Sequence, residues 1–415
     1  MSLLRIIAFS LTFTVVGGVS AAPAFKQSEA DLAADRQLLL QRWAEFCDSL
    51  KATGERIVQL DRGESINTAE GFQYLAMLTG IAIERIQGYE TPTHPQVARN
   101  LDTYKKMGLD SSDNTYRMVK FEPGGVYRVR GWRGNSTYLG FQLNKGISAV
   151  GNFNDRQMQF NKDGSFELHI GGGEREGNWM PLPDGANSMY IREIFIDWSN
   201  EQPSRLWIDR IDHSGPPQPL DAEEVADRFK KMSNYVSSQV EFWNRYVERS
   251  RQNSNTLPLP RGTTSEGGSA DNLYSGGHFS IDEGEVLLIE TESVPSLFWN
   301  VQLGNNWFQS LDYRYRQTSL NSAQARPDSD GKYRIVVSPV DPGVPNWLDT
   351  AGRREGVIYY RWNMAERIPA APVVKLISLS ELRRLLPADT PAVTASERAD
   401  VLRQRAEGVA RRFAL

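Results

Sequence analysis

The amino-acid sequence predicts an α+β protein: two related antiparallel β-sandwich regions with an N-terminal helical segment, a long helix between the β regions and C-terminal helices. Helices are predicted where apolar residues recur every three or four positions. Strands are predicted where short runs of aromatic and β-branched residues alternate with Gly, Asn, Asp and Pro. A third observation, an ordered internal repeat, indicates that the two strand-rich regions share one architecture.

The first 24 residues predict a secretory signal. Arg5 precedes an apolar run from Ile6 to Val16, and small residues follow in "VSAAPA". The run is shorter than the ~20 residues that a bilayer span needs. We therefore expect a periplasmic or secreted protein with no integral membrane segment after cleavage of the signal. Cys47 is the only cysteine, so no internal disulfide is expected.

Residues 25–112 form the predicted N-terminal helical segment. Its first helix is predicted to begin near Ser28, which together with Asp31 can cap its start. A second helix is predicted over about 68–87, and the Pro-containing stretch "ETPTHP" ends it. A short third helix is predicted near 95–106.

The rest of the chain alternates between strands and helices. Residues 113–215 and 256–365 are the first and second β regions, named so throughout, and residues 216–255 hold an amphipathic helix between them. This helix begins at Asp221, and its apolar residues follow at spacings of three and four. Residues 366–415 are predicted to form C-terminal helices, near 378–386 and 394–413.

The last predicted helix is rich in arginine. Five of its residues, Arg398, Arg403, Arg405, Arg411 and Arg412, carry a positive charge. A solvated helix face is the ordinary interpretation of such a pattern. Contact with a partner or an anionic surface is the alternative.

Five short matches connect the two β regions, and their sequence offset rises steadily from 158 to 169. A duplication followed by small insertions produces such an ordered drift, whereas chance matches scatter. The matched pairs are Asp113–Tyr116 with Asp271–Tyr274, Gln142–Leu143 with Gln302–Leu303, Asp163–Gly164 with Asp330–Gly331, Asn178–Trp179 with Asn346–Trp347, and Tyr190–Arg192 with Tyr359–Arg361.

Several stretches resemble one family of exported bacterial proteins. They are "SPVDPGVPNWLDTAGRREGVIYYRW", "HIGGGEREGNWMPLP", "YIREIFIDW" and the C-terminal "LPADTPAVTASERADVLRQRAEGVARRF". The family is known as domain of unknown function 1214. The resemblance covers most of the chain after the signal, and it implies a mainly β fold with packed helices. It implies no settled activity, cofactor or substrate.

Composition and motifs exclude several classes of function. The net charge of −4 gives no support for nucleic-acid binding. The four histidines have no helix-spaced pairing and there is no cysteine cluster, so no zinc site is predicted. The sequence also lacks a G-x-S-x-G motif and a complete phosphate-binding loop. We therefore predict neither a metal nor a cofactor.

The candidate ligand-binding residues are Trp307, Asn346, Trp347, Asp349 and Arg361. Trp307 is predicted to be exposed because it lies in the Gly/Asn-rich loop "GNNWFQ". The other four lie within residues 341–361. Asn346 and Trp347 also occur in the first copy of the repeat, which favours a structural role for them, whereas Asp349 has no counterpart there.

Three functions remain open from the sequence. Export and the high tryptophan content favour an envelope-space protein that binds a glycan or a small amphiphilic ligand. The alternative is a secreted hydrolase or lyase with Asp349 as base and Arg361 as the partner of an anion or oxyanion. A structural envelope protein is the third hypothesis.

Overall fold

The helices lie at the start, the middle and the end of the chain. The computed structural model describes residues 27–60, 65–88 and 91–414, so the predicted signal lies outside the described residues. Within them the helices are α1 (Glu29–Gln59), α2 (Ser65–Ala82, continued by a π turn Ile83–Gln87), α3 (Ala222–Arg251), α4 (Leu382–Leu385) and α5 (Ala395–Phe413).

The predicted helix starts are correct. Ser28 and Asp31 form the capping box of α1, and the Asp221 side chain accepts a hydrogen bond from the N–H of Glu224 at 2.7 Å. Satisfying these first N–H groups removes the main cost of beginning a helix there. None of the helices in the described ranges is long and apolar enough to cross a membrane.

The first β region folds into two sheets. One has the strand order β1-β2-β8-β4-β5 and the other has the order β7-β6-β3-β9. Neighbours are antiparallel except for the short parallel pair β6–β7. The strands are β1 (Ala98–Leu101), β2 (Asn114–Lys120), β3 (Tyr127–Trp132), β4 (Tyr138–Lys145), β5 (Ser148–Asn154), β6 (Ser165–Ile170), β7 (Trp179–Met180), β8 (Ser188–Ile194) and β9 (Arg205–Arg210).

The second β region repeats this arrangement. Its sheets have the orders β10-β16-β12-β13 and β15-β14-β11-β17, which match the first region strand for strand once β1 is set aside. The pair β14–β15 is again parallel. The strands are β10 (Asn272–Ser280), β11 (Glu285–Thr291), β12 (Phe298–Gly304), β13 (Ser319–Asn321), β14 (Tyr333–Ser338), β15 (Trp347–Asp349), β16 (Glu355–Asn363) and β17 (Val373–Ser378).

The repeat extends to single hydrogen bonds. The indole N–H of Trp179 donates to the carbonyl of Gly171, and that of Trp347 donates to the carbonyl of Ser338, both at 3.1 Å. The Asn residue before each Trp accepts a backbone N–H about 20 residues upstream, at 2.7 Å in the first region and 2.8 Å in the second. The Asn-Trp pair therefore fixes a chain crossing in each β region, as the repeat suggested.

The two β regions contact each other through equivalent residues. Gln302 donates to the carbonyl of Asp110 at 2.8 Å and accepts from the N–H of Ser112 at 3.0 Å. Gln142 makes the same two bonds, at 3.2 and 2.9 Å, with the residues that lie 158 positions later than Asp110 and Ser112. Reciprocal contacts between equivalent residues are the signature of a twofold axis. The two regions are therefore related by an approximate twofold axis.

Two predictions about helices need correction. The short helix expected near 95–106 is wrong: strand β1 lies there, paired with β2, and a turn follows in which the Asp102 side chain accepts from the N–H groups of Tyr104 and Lys105. Asp favours such local turns over helix interiors because its side chain competes for the backbone donors. The segment expected to hold only C-terminal helices begins with β17, which completes the sheet of β11.

The arginines of α5 are only partly solvated. Arg403 and Arg411 are exposed, as predicted, but three arginines spaced by seven residues are buried: Arg398, Arg405 and Arg412. Their guanidinium groups lie over aromatic rings, Arg398 over Trp347 at 5.0 Å and Arg405 over Trp198 at 4.6 Å. A seven-residue spacing brings side chains to one helix face, and the rings explain how that face accommodates charge.

Candidate ligand-binding cavity

A cavity of about 410 Å³, called the central cavity below, lies where the two β regions meet, beneath the long helix α3. Each β region contributes the same three residue types at equivalent strand positions. The first region supplies Tyr116, Tyr190 and Arg192, and the second supplies Tyr274, Tyr359 and Arg361. The approximate twofold axis therefore passes through the neighbourhood of the cavity.

The two strand arginines are held in the same way. Arg361 on β16 donates through Nη2 to the carbonyl of Leu109, and Arg192 on β8 donates through Nη2 to the carbonyl of Gly267 at 2.9 Å. Leu109 and Gly267 both have a left-handed backbone, with φ of 48° and 89°. This conformation favours glycine and costs energy at a leucine, so the structure around Leu109 must compensate for it.

Arg361 is the more buried of the two arginines. Only 5% of its surface is exposed, and its Nη1 has no hydrogen-bond partner within the described part of the chain. Its guanidinium lies 4.9 Å from the centre of the Tyr359 ring. A buried cation with an unused donor is costly, and an anion that enters the cavity removes that cost.

A third arginine enters the cavity from the π turn after α2. Arg85 donates to the amide oxygen of Asn100 at 2.7 Å and to the Tyr235 hydroxyl at 2.8 Å. Burial raises the pKa of Tyr235, and burial likewise raises the pKa of Tyr116. Both phenols therefore stay protonated near neutral pH and remain available as hydrogen-bond donors.

The acidic groups of the cavity are already engaged. Asp110 is buried, accepts from the Ser310 hydroxyl at 2.8 Å, and has its pKa raised by burial. Glu266 forms an ion pair with Arg261 at 2.9 Å. Neither carboxyl group forms an ion pair with Arg361 in the ranges described, although the charge of Arg361 opposes the effect of burial on the pKa of Asp110. Four arginines line the cavity against these two carboxyl groups, so its electrostatic balance favours an anionic ligand.

One wall of the cavity is aromatic. Trp243 on α3 stacks on Phe308 with ring centroids 4.8 Å apart, and Tyr246 lies 4.6 Å from the same Phe308 ring. Phe308 belongs to the connection between β12 and β13, where its backbone is left-handed, with φ of 58°. A cavity with aromatic walls and a few convergent polar groups is the common form of a small-molecule site. A second cavity, of about 480 Å³, lies beside it and shares Tyr246, Tyr274 and Tyr359.

Of the five predicted site residues, only Arg361 lines this cavity. Trp307, predicted to be exposed, is fully buried, and its indole N–H donates to the carbonyl of Asn67 at 2.8 Å. The prediction of exposure is wrong because the Gly/Asn-rich loop packs under α2 instead of projecting into solvent. Gly71 permits this approach, since a Cβ there would lie 2.7 Å from the Trp307 ring.

The remaining predicted residues lie in the outer sheet of the second β region. Asn346 and Trp347 are buried and hydrogen-bonded to the backbone. Asp349 on β15 pairs with Arg316 at 2.8 Å and accepts from the N–H of Ala351 at 2.7 Å. Asp349 is not among the residues that line the cavity with Arg361. The structure does not bring the proposed base and its anion partner into one cavity.

Several residues of the cavity were not predicted from the sequence. The repeat contained the signal for Arg192, because Tyr190-Ile191-Arg192 matches the stretch that ends in Arg361. No comparable signal exists for Arg85 or Tyr235, which come from two helices that meet only in the folded chain.

Comparison with known proteins agrees with the fold. The model of the family described as "Protein of unknown function (DUF1214)" matches residues 136–194 and 280–366. An uncharacterised protein from Burkholderia cenocepacia has a similar crystal structure, with 32% identity, a TM-score of 0.79, and coverage of 83% of this chain and 99% of that one. A Vibrio parahaemolyticus protein aligns at 11% identity and a TM-score of 0.42, covering 74% of this chain and 98% of that one. No curated protein matches the chain.

Proposed function

The chain belongs to the DUF1214 family, which assigns it no activity, and we propose that it is an exported envelope-space protein that binds a small amphiphilic anion in this cavity. The observation that carries the binding proposal is the Nη1 of the buried Arg361, which has no hydrogen-bond partner among the described residues. The ligand's carboxylate, phosphate or sulfate group would accept this N–H, because guanidinium groups recognise such oxyanions well.

The aromatic walls of the cavity can contact the apolar part of the ligand. Trp243, Phe308 and Tyr246 form a continuous aromatic surface in the cavity wall. The volume of about 410 Å³ lies within the range of small-molecule sites. This arrangement favours an amphiphile with one anionic group over a neutral glycan, which would leave Arg361 without a counter-charge.

Binding is tested with matched ligand pairs. The mature protein is titrated with alkyl and aryl carboxylates and with the corresponding primary amides, and binding is followed by calorimetry and by the shift in melting temperature. We expect the carboxylates to bind and the amides to bind at least about tenfold more weakly, since the amide loses the charge-assisted bond. Equal affinity for acids and amides would contradict the proposal.

Substitutions in the cavity wall test whether the ligand binds in this cavity. Arg361→Gln is expected to weaken carboxylate binding by about 1.5–3 kcal/mol, the usual worth of a hydrogen bond to a charged group. Arg403→Gln is the matched control, since Arg403 is exposed on α5. Should Arg361→Gln impair folding, Phe242→Ala at the cavity wall gives a second test of the same site. Unchanged affinity in the folded variants would contradict the assignment of the ligand to this cavity.

Export is a separate part of the proposal. It rests on the charged, apolar and small-residue pattern of residues 1–24. Fractionation of cells that express the full chain, followed by mass spectrometry of the mature N-terminus, tests it. Cleavage after a small residue near position 22 and recovery outside the cytoplasm are the expected results, and an intact N-terminus in the cytoplasm is the opposing one.

A further inference from the structure

A third cavity, of about 530 Å³, lies in the first β region beside the end of α5. Five arginines line it, and among the described residues no aspartate or glutamate does. They are Arg99, Arg117, Arg205, Arg411 and Arg412. Like charges gathered without carboxylates repel one another and raise the local concentration of anions.

Part of this positive charge is balanced by carboxylates outside the cavity lining. Arg117 pairs with Glu193 at 3.0 Å, and Arg99 is 3.9 Å from Asp102. The charges of two further carboxylates, Asp113 and Glu201, act on the buried Arg412 and oppose the lowering of its pKa by burial. Across the described ranges, Arg205 and Arg411 form no ion pair with a carboxylate, so these two arginines keep charge for an anionic ligand.

Arg205 and Arg411 supply the charge that a ligand can reach. Both side chains are exposed, whereas Arg412 is only 5% exposed. The guanidinium of Arg412 lies over the Phe195 and Trp198 rings, at 5.0 and 4.6 Å, and these rings do not line the cavity. The exposed guanidinium groups of Arg205 and Arg411 can each donate to the oxygens of a tetrahedral oxyanion.

One rim of the cavity is aromatic. Trp132 is 41% exposed, and the guanidinium of Arg205 lies 5.5 Å from the centre of its ring. An oxyanion bound by the arginines would place its substituent beside this ring. A flat or apolar group attached to the oxyanion therefore finds a surface to pack against.

We infer that this cavity is a phosphate-ester site: the arginines bind the phosphate dianion, and Trp132 contacts the group that carries it. The inference is independent of the central cavity, because it uses neither Arg361 nor Arg192. The same chemistry is offered by free inorganic phosphates and by phosphorylated headgroups, and the test separates these two sources.

The test titrates the mature protein with inorganic pyrophosphate and with soluble dihexanoyl phosphatidate at constant chloride concentration. Arg205→Gln combined with Arg411→Gln removes two exposed charges without disturbing the buried Arg412. We expect saturable binding that weakens at least about tenfold in this double variant, because charge-assisted bonds to the phosphate are lost. Tighter binding of the phosphatidate than of pyrophosphate identifies an esterified headgroup. Pyrophosphate that binds as tightly or more tightly contradicts the contact with Trp132 and identifies the inorganic group.

Two controls make the outcome decisive. Arg403→Gln removes an exposed arginine of the same helix that pairs with Asp400 at 2.9 Å, outside the cavity. Arg361→Gln tests whether the central cavity is responsible. Both single variants are expected to bind pyrophosphate as the parent does. The inference is overturned by no saturable binding up to about 10 mM, by unchanged affinity in the double variant, or by equal weakening in the Arg403 control.

Discussion

The two β regions share their strand order and the side chains that hydrogen-bond to the backbone. They differ most in the length of one connection. In the first region two residues, 146–147, join β4 to β5. In the second region fourteen residues, 305–318, join β12 to β13. The longer connection places Trp307 under α2 and Phe308 in the wall of the central cavity. The repeated strands form the framework of the molecule, and the longer connection of the second region makes the cavity asymmetric.

The same contrast applies to the two strand arginines. Arg192 and Arg361 occupy equivalent positions and donate to equivalent carbonyls, yet Arg361 is buried and Arg192 is half-exposed. The aromatic pair of Trp243 and Phe308 exists on one side only. A symmetric pair of arginines thereby becomes one deeply buried and one more exposed guanidinium group.

Removing the buried tryptophan of the long connection should produce the largest effect. Trp307→Ala is expected to lower the free energy of unfolding by about 3–5 kcal/mol, because a fully buried aromatic side chain leaves a cavity. Ile147→Ala, in the short connection of the first region, is expected to change stability by less than about 0.5 kcal/mol, since Ile147 is 47% exposed. Chemical denaturation of both variants measures the difference, and similar losses would show that the long connection has no special role in stability.

The repeated asparagines should behave alike. Asn178→Ala leaves one backbone N–H and two carbonyls without their side-chain partner, and Asn346→Ala leaves one N–H and one carbonyl. Each is expected to cost about 1–3 kcal/mol of stability. Melting experiments on the two variants check whether the values agree within about 1 kcal/mol. A large loss in one region alone would contradict their structural equivalence.

Asp349 has no counterpart in the first region, and its loss should affect stability but not ligand binding. Asp349→Ala breaks an ion pair with Arg316, whose side chain is 50% exposed, and also removes the acceptor that the N–H of Ala351 reaches at 2.7 Å, so the expected cost is about 1–3 kcal/mol. Carboxylate binding in the central cavity should be unchanged. Loss of ligand affinity or of a measured turnover in this folded variant would instead favour the hydrolase hypothesis.

The smallest expected effect concerns pH and the two Asp-Gly turns. The Arg334 side chain lowers the pKa of Asp330 to about 2, whereas the Ser165 hydroxyl lowers the pKa of Asp163 in the first region. A carboxyl with a lowered folded-state pKa adds stability above its unfolded value, near 4, and that stability is lost as the pH falls through the folded value. We therefore expect Asp330→Asn to flatten the fall in melting temperature between about pH 4 and pH 2. Asp163→Asn should flatten it less, and the opposite ranking would contradict the stronger effect of the guanidinium.

The sequence was sufficient for the architecture because its signals are local or repeated. The capping pattern at Ser28 and the periodicity of α3 depend on neighbouring residues, and the Asn-Trp pairs occur twice. These signals survive without any knowledge of tertiary contacts.

The sequence was insufficient for the cavity because its residues converge from distant elements. Arg85 and Tyr235 are 150 positions apart and meet only when α2 and α3 pack. Trp307 was misjudged for a similar reason: its loop is rich in Gly and Asn, which is typical of exposed loops, but the helix that covers it lies about 240 positions earlier. Burial of a loop depends on what packs against it, and composition does not contain that information.

The heptad of buried arginines on α5 has a consequence for the order of assembly. Arg398 contacts the second β region through Asp341, whereas Arg412 contacts the first through the Phe195 ring, at 5.0 Å, so one helix bridges both halves. Because the residues that α5 contacts come from both regions, α5 can dock only after each region has placed them, and domains generally fold as units. Each half must therefore acquire its sheets while the aromatic rings that α5 covers are still open to water, and docking of α5 is a late step of folding.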